Sequence, residues 1–64
     1  MSIMRHYIAF WNDGHDYGET EFLSTHRANS KANVEDAKAE MMRKFGYKRS
    51  RNMNIISTQL YHSA

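Results

Sequence analysis

The chain has 64 residues, 41% of them hydrophobic and 25% charged, a globular balance at a size that holds one domain. It contains no cysteine, which excludes disulfide staples and thiolate zinc sites. The net charge of +2 is mild but polarised: residues 1–26 carry one cation against four carboxylates, and residues 27–51 carry eight against three.

The longest apolar run, "YIAFW", is far short of a bilayer span, so no membrane partner is expected. No cationic leader precedes an apolar segment, so a secretion signal is not expected and the expected location is cytoplasmic. A core of this size stabilises a monomer by only about 3–5 kcal/mol. Self-association or a partner is a natural way to bury more surface.

"MRHYIAFW", residues 4–11, is predicted to be a strand, because Tyr7, Ile8, Phe10 and Trp11 suit a pleated surface. A period of two puts Met4, His6, Ile8 and Phe10 on one face and Arg5, Tyr7, Ala9 and Trp11 on the other. "NDGHDYG" supplies turn chemistry through Asp13, Gly14 and Gly18. "ETEFLSTH" then runs back as a second strand with Phe22 inward, making a hairpin with a long acidic loop.

"RANSKAN" reads as a connection. Asn33 is the favoured N-cap, with Asp36 at capping-box spacing and Ser30 as the competing start. Glu35 and Asp36 then fall in the first helical turn, where the dipole favours negative charge. Val34, Ala37, Met41 and Phe45 form an apolar stripe, so "VEDAKAEMMRKF" is predicted to be a helix ended by Gly46. "KRSRN" is a polar link. "MNIISTQLYH" is a third strand with two competing inward sets: Ile56 and Leu60, or Met53, Ile55 and Tyr61.

This β-β-α-β order predicts a small α+β domain: a three-stranded antiparallel sheet, order 2-1-3, with one helix on one face. Met4, Ile8 and Phe10 are the more apolar set and are expected under the helix. Arg5, Tyr7 and Trp11 would then lie on the open face as partner-binding residues. Aromatic rings beside Arg suit protein anchors and also base stacking; the plain alternative is a pair half-covered by neighbours.

"RKFGYKRSR" gathers Arg43, Lys44, Lys48, Arg49 and Arg51 as candidate anion or nucleic-acid contacts. Arg43 and Lys44 also suit a helix C-terminus, and the others a solvated loop. The hairpin loop fails the calcium-loop register, because Gly14 follows Asp13 directly. His6, His15, His26 and His62 show no metal-site spacing, although His6 and His62 approach if strands one and three pair as expected. Ser24, Ser30 and Ser57 lie in no nucleophile elbow. No cofactor and no enzymatic activity are expected.

"STHRANSKANVEDAKAEMMRKFGYKR", residues 24–49, resembles a segment of short accessory proteins encoded by bacteriophages and prophages. The likeness lies in the "HRANSK" connection, the "ANxEDA" helix start and the basic "RKFGYK" end. It implies a small phage protein in a bacterial cytoplasm that binds a host protein or host nucleic acid, including inhibition of defence systems. No functional residue carries over from it. The expected function is therefore non-enzymatic binding to a protein partner. A nucleic-acid-binding module and a structural homodimer are the alternatives.

Overall fold

A computed structural model describes residues 3–61. The elements are β1 (Arg5–Asn12), β2 (Tyr17–Ser24), α1 (Lys31–Phe45), α2 (Tyr47–Ser50) and β3 (Asn54–Leu60). The strands form one antiparallel sheet in the order β2-β1-β3, with α1 across one face, the expected α+β arrangement. Among the described residues, no helix is long and apolar enough to cross a membrane.

The hairpin is tighter than the sequence suggests, because β2 already begins at Tyr17. Asp13 N–H donates to the Asp16 carbonyl at 3.0 Å, closing a four-residue loop. The Asp13 carboxylate accepts from the N–H groups of His15 and Asp16, at 2.9 and 2.7 Å. Gly14 takes φ 94°, a conformation that side-chain-bearing residues rarely adopt.

Ser30, not Asn33, caps α1: its hydroxyl accepts from the Asn33 N–H at 3.2 Å. Glu35 and Asp36 consequently sit beyond the first turn, which holds no acidic residue. Asn33 is fully buried within the helix and serves a long-range purpose. Its side-chain N–H donates to the His26 carbonyl at 2.9 Å, and its oxygen accepts from the Thr58 hydroxyl at 2.6 Å. Asn29, at φ 64°, donates its N–H to the Thr58 hydroxyl and accepts the Thr58 N–H. This closed set ties the connection before α1 to β3, and it satisfies polar groups that would be costly to bury alone.

The core overturns the expected choice of faces. Tyr7, Ala9 and Trp11 point under α1, with Tyr7 3% and Trp11 7% exposed. Tyr7, Ala9, Phe22 and Ala37 form one cluster, and Trp11, Met41 and Met53 a second; Ile55 packs against both. Ala9 and Ala37 are both completely buried, and two small side chains in one cluster let helix and sheet approach closely. The less apolar set of β1 is thus the buried one, because it contains the alanine that this packing needs.

Neither expected inward set of β3 is correct as a whole. Phe10 pairs with Ser57 but Trp11 pairs with Ile55, so a bulge leaves Ile56 as the extra residue. The bulge switches parity along the strand. Thr58 and Leu60 turn inward after it, Ile55 and Met53 before it, and Ile56 is 67% exposed. Tyr61 is exposed and packs its ring on His6, with centroids 4.8 Å apart.

Candidate functional site

Pairing register builds the open face of the sheet. With Asn12 opposite Tyr17, Phe10 lies beside Glu19, Ile8 beside Glu21, and His6 beside Leu23. On the other side Phe10 meets Ser57 and Ile8 meets Gln59. Ile8 and Phe10 are half-buried by these neighbours, while Met4, Leu23 and Ile56 are strongly exposed. The result is an apolar centre with carboxylates along the β2 side. The His6 imidazole Nε2 lies 2.8 Å from the Glu21 carboxylate. Near the hairpin, Phe10, Tyr17 and Ile56 border a shallow depression floored by Gly18.

The proposed anchors Tyr7 and Trp11 do not reach this face. Tyr7 stacks on Phe22, with centroids 5.5 Å apart. Trp11 donates its indole N–H to the Thr20 hydroxyl at 3.1 Å and meets Phe45 edge-on at 6.1 Å. Both rings are packed as core: Tyr7 lies directly opposite Phe22, and Trp11 lies opposite Gly18 with Thr20 as its diagonal neighbour, all on the helix side. Arg5 shares their parity and is exposed at the start of β1, opposite Ser24.

The basic segment is not a loop throughout. Residues Tyr47–Ser50 form the single turn α2, begun by Gly46 at φ 85° and ψ 163°. The five cations are dispersed by this turn. Arg43 makes a two-pronged bond to Glu40, at 2.9 and 2.6 Å. That bond holds the Glu40 carboxyl below its ordinary range and raises the Arg43 guanidinium. Lys44 borders the groove between α1 and β2, beside Glu21 and Asp36. Arg51 borders a different cleft with Lys38 and Met42.

Lys48 and Arg49 are the pair brought together. They line a cleft with Asp13, His15 and Asn52, between the hairpin loop and α2. The Arg49 guanidinium lies 5.6 Å from the Phe45 ring centroid, a cation–π distance. Among the described residues, neither has a carboxylate within ion-pair distance. Asp13 is held below its ordinary value first by the backbone N–H groups of Asp16 and His15, with a smaller contribution from Arg49.

His6, His15 and His26 lie on different elements, and His62 is outside the described residues. Among the described residues, no three His, Asp or Glu side chains are placed to share a metal ion. Ser24 and Ser30 have structural partners: Ser24 donates to Asp36 at 2.6 Å, and Ser30 to the Arg27 carbonyl at 2.7 Å. In the "HRANSKANVEDA" stretch, residues 26–37, Asn29 and Asn33 are accounted for by their bonds to Thr58, and Ser30 by the helix cap.

Sequence reasoning missed half-buried Ile8 and Phe10 and strongly exposed Ile56 as apolar residues of the open face, whereas Leu23 follows from Phe22 pointing inward. A readable signal existed for two of them. Hairpin register places Glu19 and Glu21 beside Phe10 and Ile8, and two carboxylates do not belong under a helix. No family model, curated protein or solved structure matches the chain.

Proposed function

We propose that this chain is a small non-enzymatic binding protein that holds a protein partner against its open sheet face. The observation that carries this reading is the uncovered apolar centre of Ile8, Phe10, Leu23 and Ile56, rimmed by polar groups. The resemblance of residues 24–49 to phage accessory proteins adds the setting: a bacterial cytoplasm, with a host protein modulated by occupancy. The charged rim of Glu19, Glu21 and His6 orients the partner, the aromatic anchors are Phe10 and Tyr61 in place of Tyr7 and Trp11, and Arg5, on the helix-side parity, is left out of this face.

The test is affinity capture with the native chain and with Phe10→Ser/Ile56→Ser, after circular dichroism has shown both to be folded. Loss of the same captured species in the double variant supports the reading. Unchanged capture overturns it. Light scattering at several concentrations identifies the case in which the captured species is a second copy, making the chain a homodimer.

The pairing of Lys48 with Arg49 at one cleft favours a second reading, phosphate contact with nucleic acid. It predicts that Lys48→Ala/Arg49→Ala weakens oligonucleotide binding and lowers the salt slope by about 0.7–0.9 for each lost contact. Fluorescence anisotropy with single-stranded DNA, duplex DNA and RNA measures this.

A further inference from the structure

The two edges of the sheet are treated differently. On β3, the outward N–H of Thr58 is taken by the Asn29 side chain at 2.7 Å, so the 26–30 connection plugs that edge. On β2 no such plug exists among the described residues. The loop closes with Asp13 bonded to Asp16, so hydrogen-bonded pairs alternate from there to Trp11–Gly18, Ala9–Thr20 and Tyr7–Phe22. Tyr17, Glu19, Glu21 and Leu23 therefore turn their N–H and C=O groups away from β1. Among the described residues, none of these groups has a backbone partner in the turns, loops and caps.

We propose that the free edge of β2 receives an extended segment of a partner protein carrying basic residues at alternate positions. This rests on the protein-binding reading above and names the partner's chemistry. An added strand places residues directly opposite Glu19 and Glu21, on the open face, where Lys or Arg makes favourable cross-strand pairs. Flanking apolar residues meet Tyr17 and Leu23, both strongly exposed. The intervening side chains enter the groove between β2 and α1, beside Ala39, Glu40 and Lys44, where small polar groups fit. A second copy is the wrong occupant. The antiparallel self-pairing that engages all four outward residues is centred on Thr20; it sets Glu19 of each copy against Glu21 of the other, and like charges at that spacing repel.

The experiment uses the full chain and two blocked peptides, LTKTKTY and its control LTETETY, followed by NMR titration and amide hydrogen exchange. The lysine peptide is expected to bind roughly tenfold tighter than the glutamate peptide. It should slow exchange at Tyr17, Glu19, Glu21 and Leu23, and leave Gly18 and Thr20 as they were. Glu19→Lys/Glu21→Lys, at exposed positions, should reverse the peptide preference with the fold intact. Equal binding of both peptides overturns the inference, and so does binding without protection of those four amides. If the edge fails while Phe10→Ser/Ile56→Ser still abolishes partner capture, the edge assignment falls and the open-face reading stands.

Discussion

The indole of Trp11 lies over Gly18, its cross-strand neighbour, so closely that a Cβ built at Gly18 would come 2.8 Å from indole Cζ2. The glycine is therefore a packing residue: it makes room for the ring that caps the second core cluster. Gly18→Ala should force the indole to move, straining its bond to Thr20. A loss of about 1–3 kcal/mol is expected, as for other overpacked core sites. Urea denaturation measures the loss. Emission from Trp11, buried in the native chain, should move to the red.

The Asn33–Thr58 bond joins helix and outer strand through the interior. Thr58→Val keeps the shape but orphans the Asn33 oxygen and removes the acceptor of the Asn29 N–H. About 1–3 kcal/mol should be lost, the usual cost of leaving a buried polar group unpaired. Thr58→Ser keeps the hydroxyl and should lose clearly less. Thermal melts of the two variants side by side make the comparison.

Asn29 combines a left-handed backbone with an edge plug. Asn29→Gly keeps the φ 64° conformation accessible and removes only the side chain that accepts the Thr58 N–H. The β3 strand, which carries no charged residue, then presents an open edge. Concentration-dependent association by light scattering is the expected outcome. A variant that stays monomeric at all concentrations would show that the plug is dispensable.

Gly46 joins α1 to α2 at φ 85° and ψ 163°, a region essentially reserved for glycine. A Cβ there meets no neighbour within 4 Å, so the penalty for Gly46→Ala is conformational, about 1–3 kcal/mol. Because α2 carries Lys48 and Arg49, the same variant should disturb their cleft. Chemical shifts at Asn52 and His15 report that displacement.

Asp13 and Glu40 both titrate below their ordinary values of 3.8 and 4.5, from loop N–H groups and from Arg43 respectively. A carboxyl with a lowered folded pKa binds its proton less readily in the native chain than in the unfolded one. Its stabilisation is complete above the unfolded value and disappears as pH falls through the folded value. Melting temperature should therefore decline from about pH 5 downward, and less steeply in Asp13→Asn/Glu40→Gln. Both groups are at the surface, so salt should shrink the difference from Arg43 more than that from the loop N–H groups.

The order of elements, the helix stripe of Ala37 and Met41, the turn at Asp13-Gly14, the break at Gly46 and the strand order 2-1-3 were all legible in the sequence. Each follows from local periodicity, turn chemistry or the handedness of the crossover. The buried face of β1 was not, because both of its alternating sets are apolar. Periodicity separates two faces but does not say which one the helix covers. That choice depended on Ala9 meeting Ala37, on Gly18 lying opposite Trp11, and on Glu19 and Glu21 lying beside Phe10 and Ile8, all relations between elements. The inward set of β3 was settled by a bulge at Ile56, which local propensity does not encode. Asn33 has the local pattern of a cap, yet it is drawn inside by Thr58, 25 residues away. The aromatic anchors moved from surface to core for the same reason, and the exposed face passed to Phe10 and Ile56. Tertiary packing decides such matters because burial is a property of pairs of elements, and one strand's alternation describes only itself.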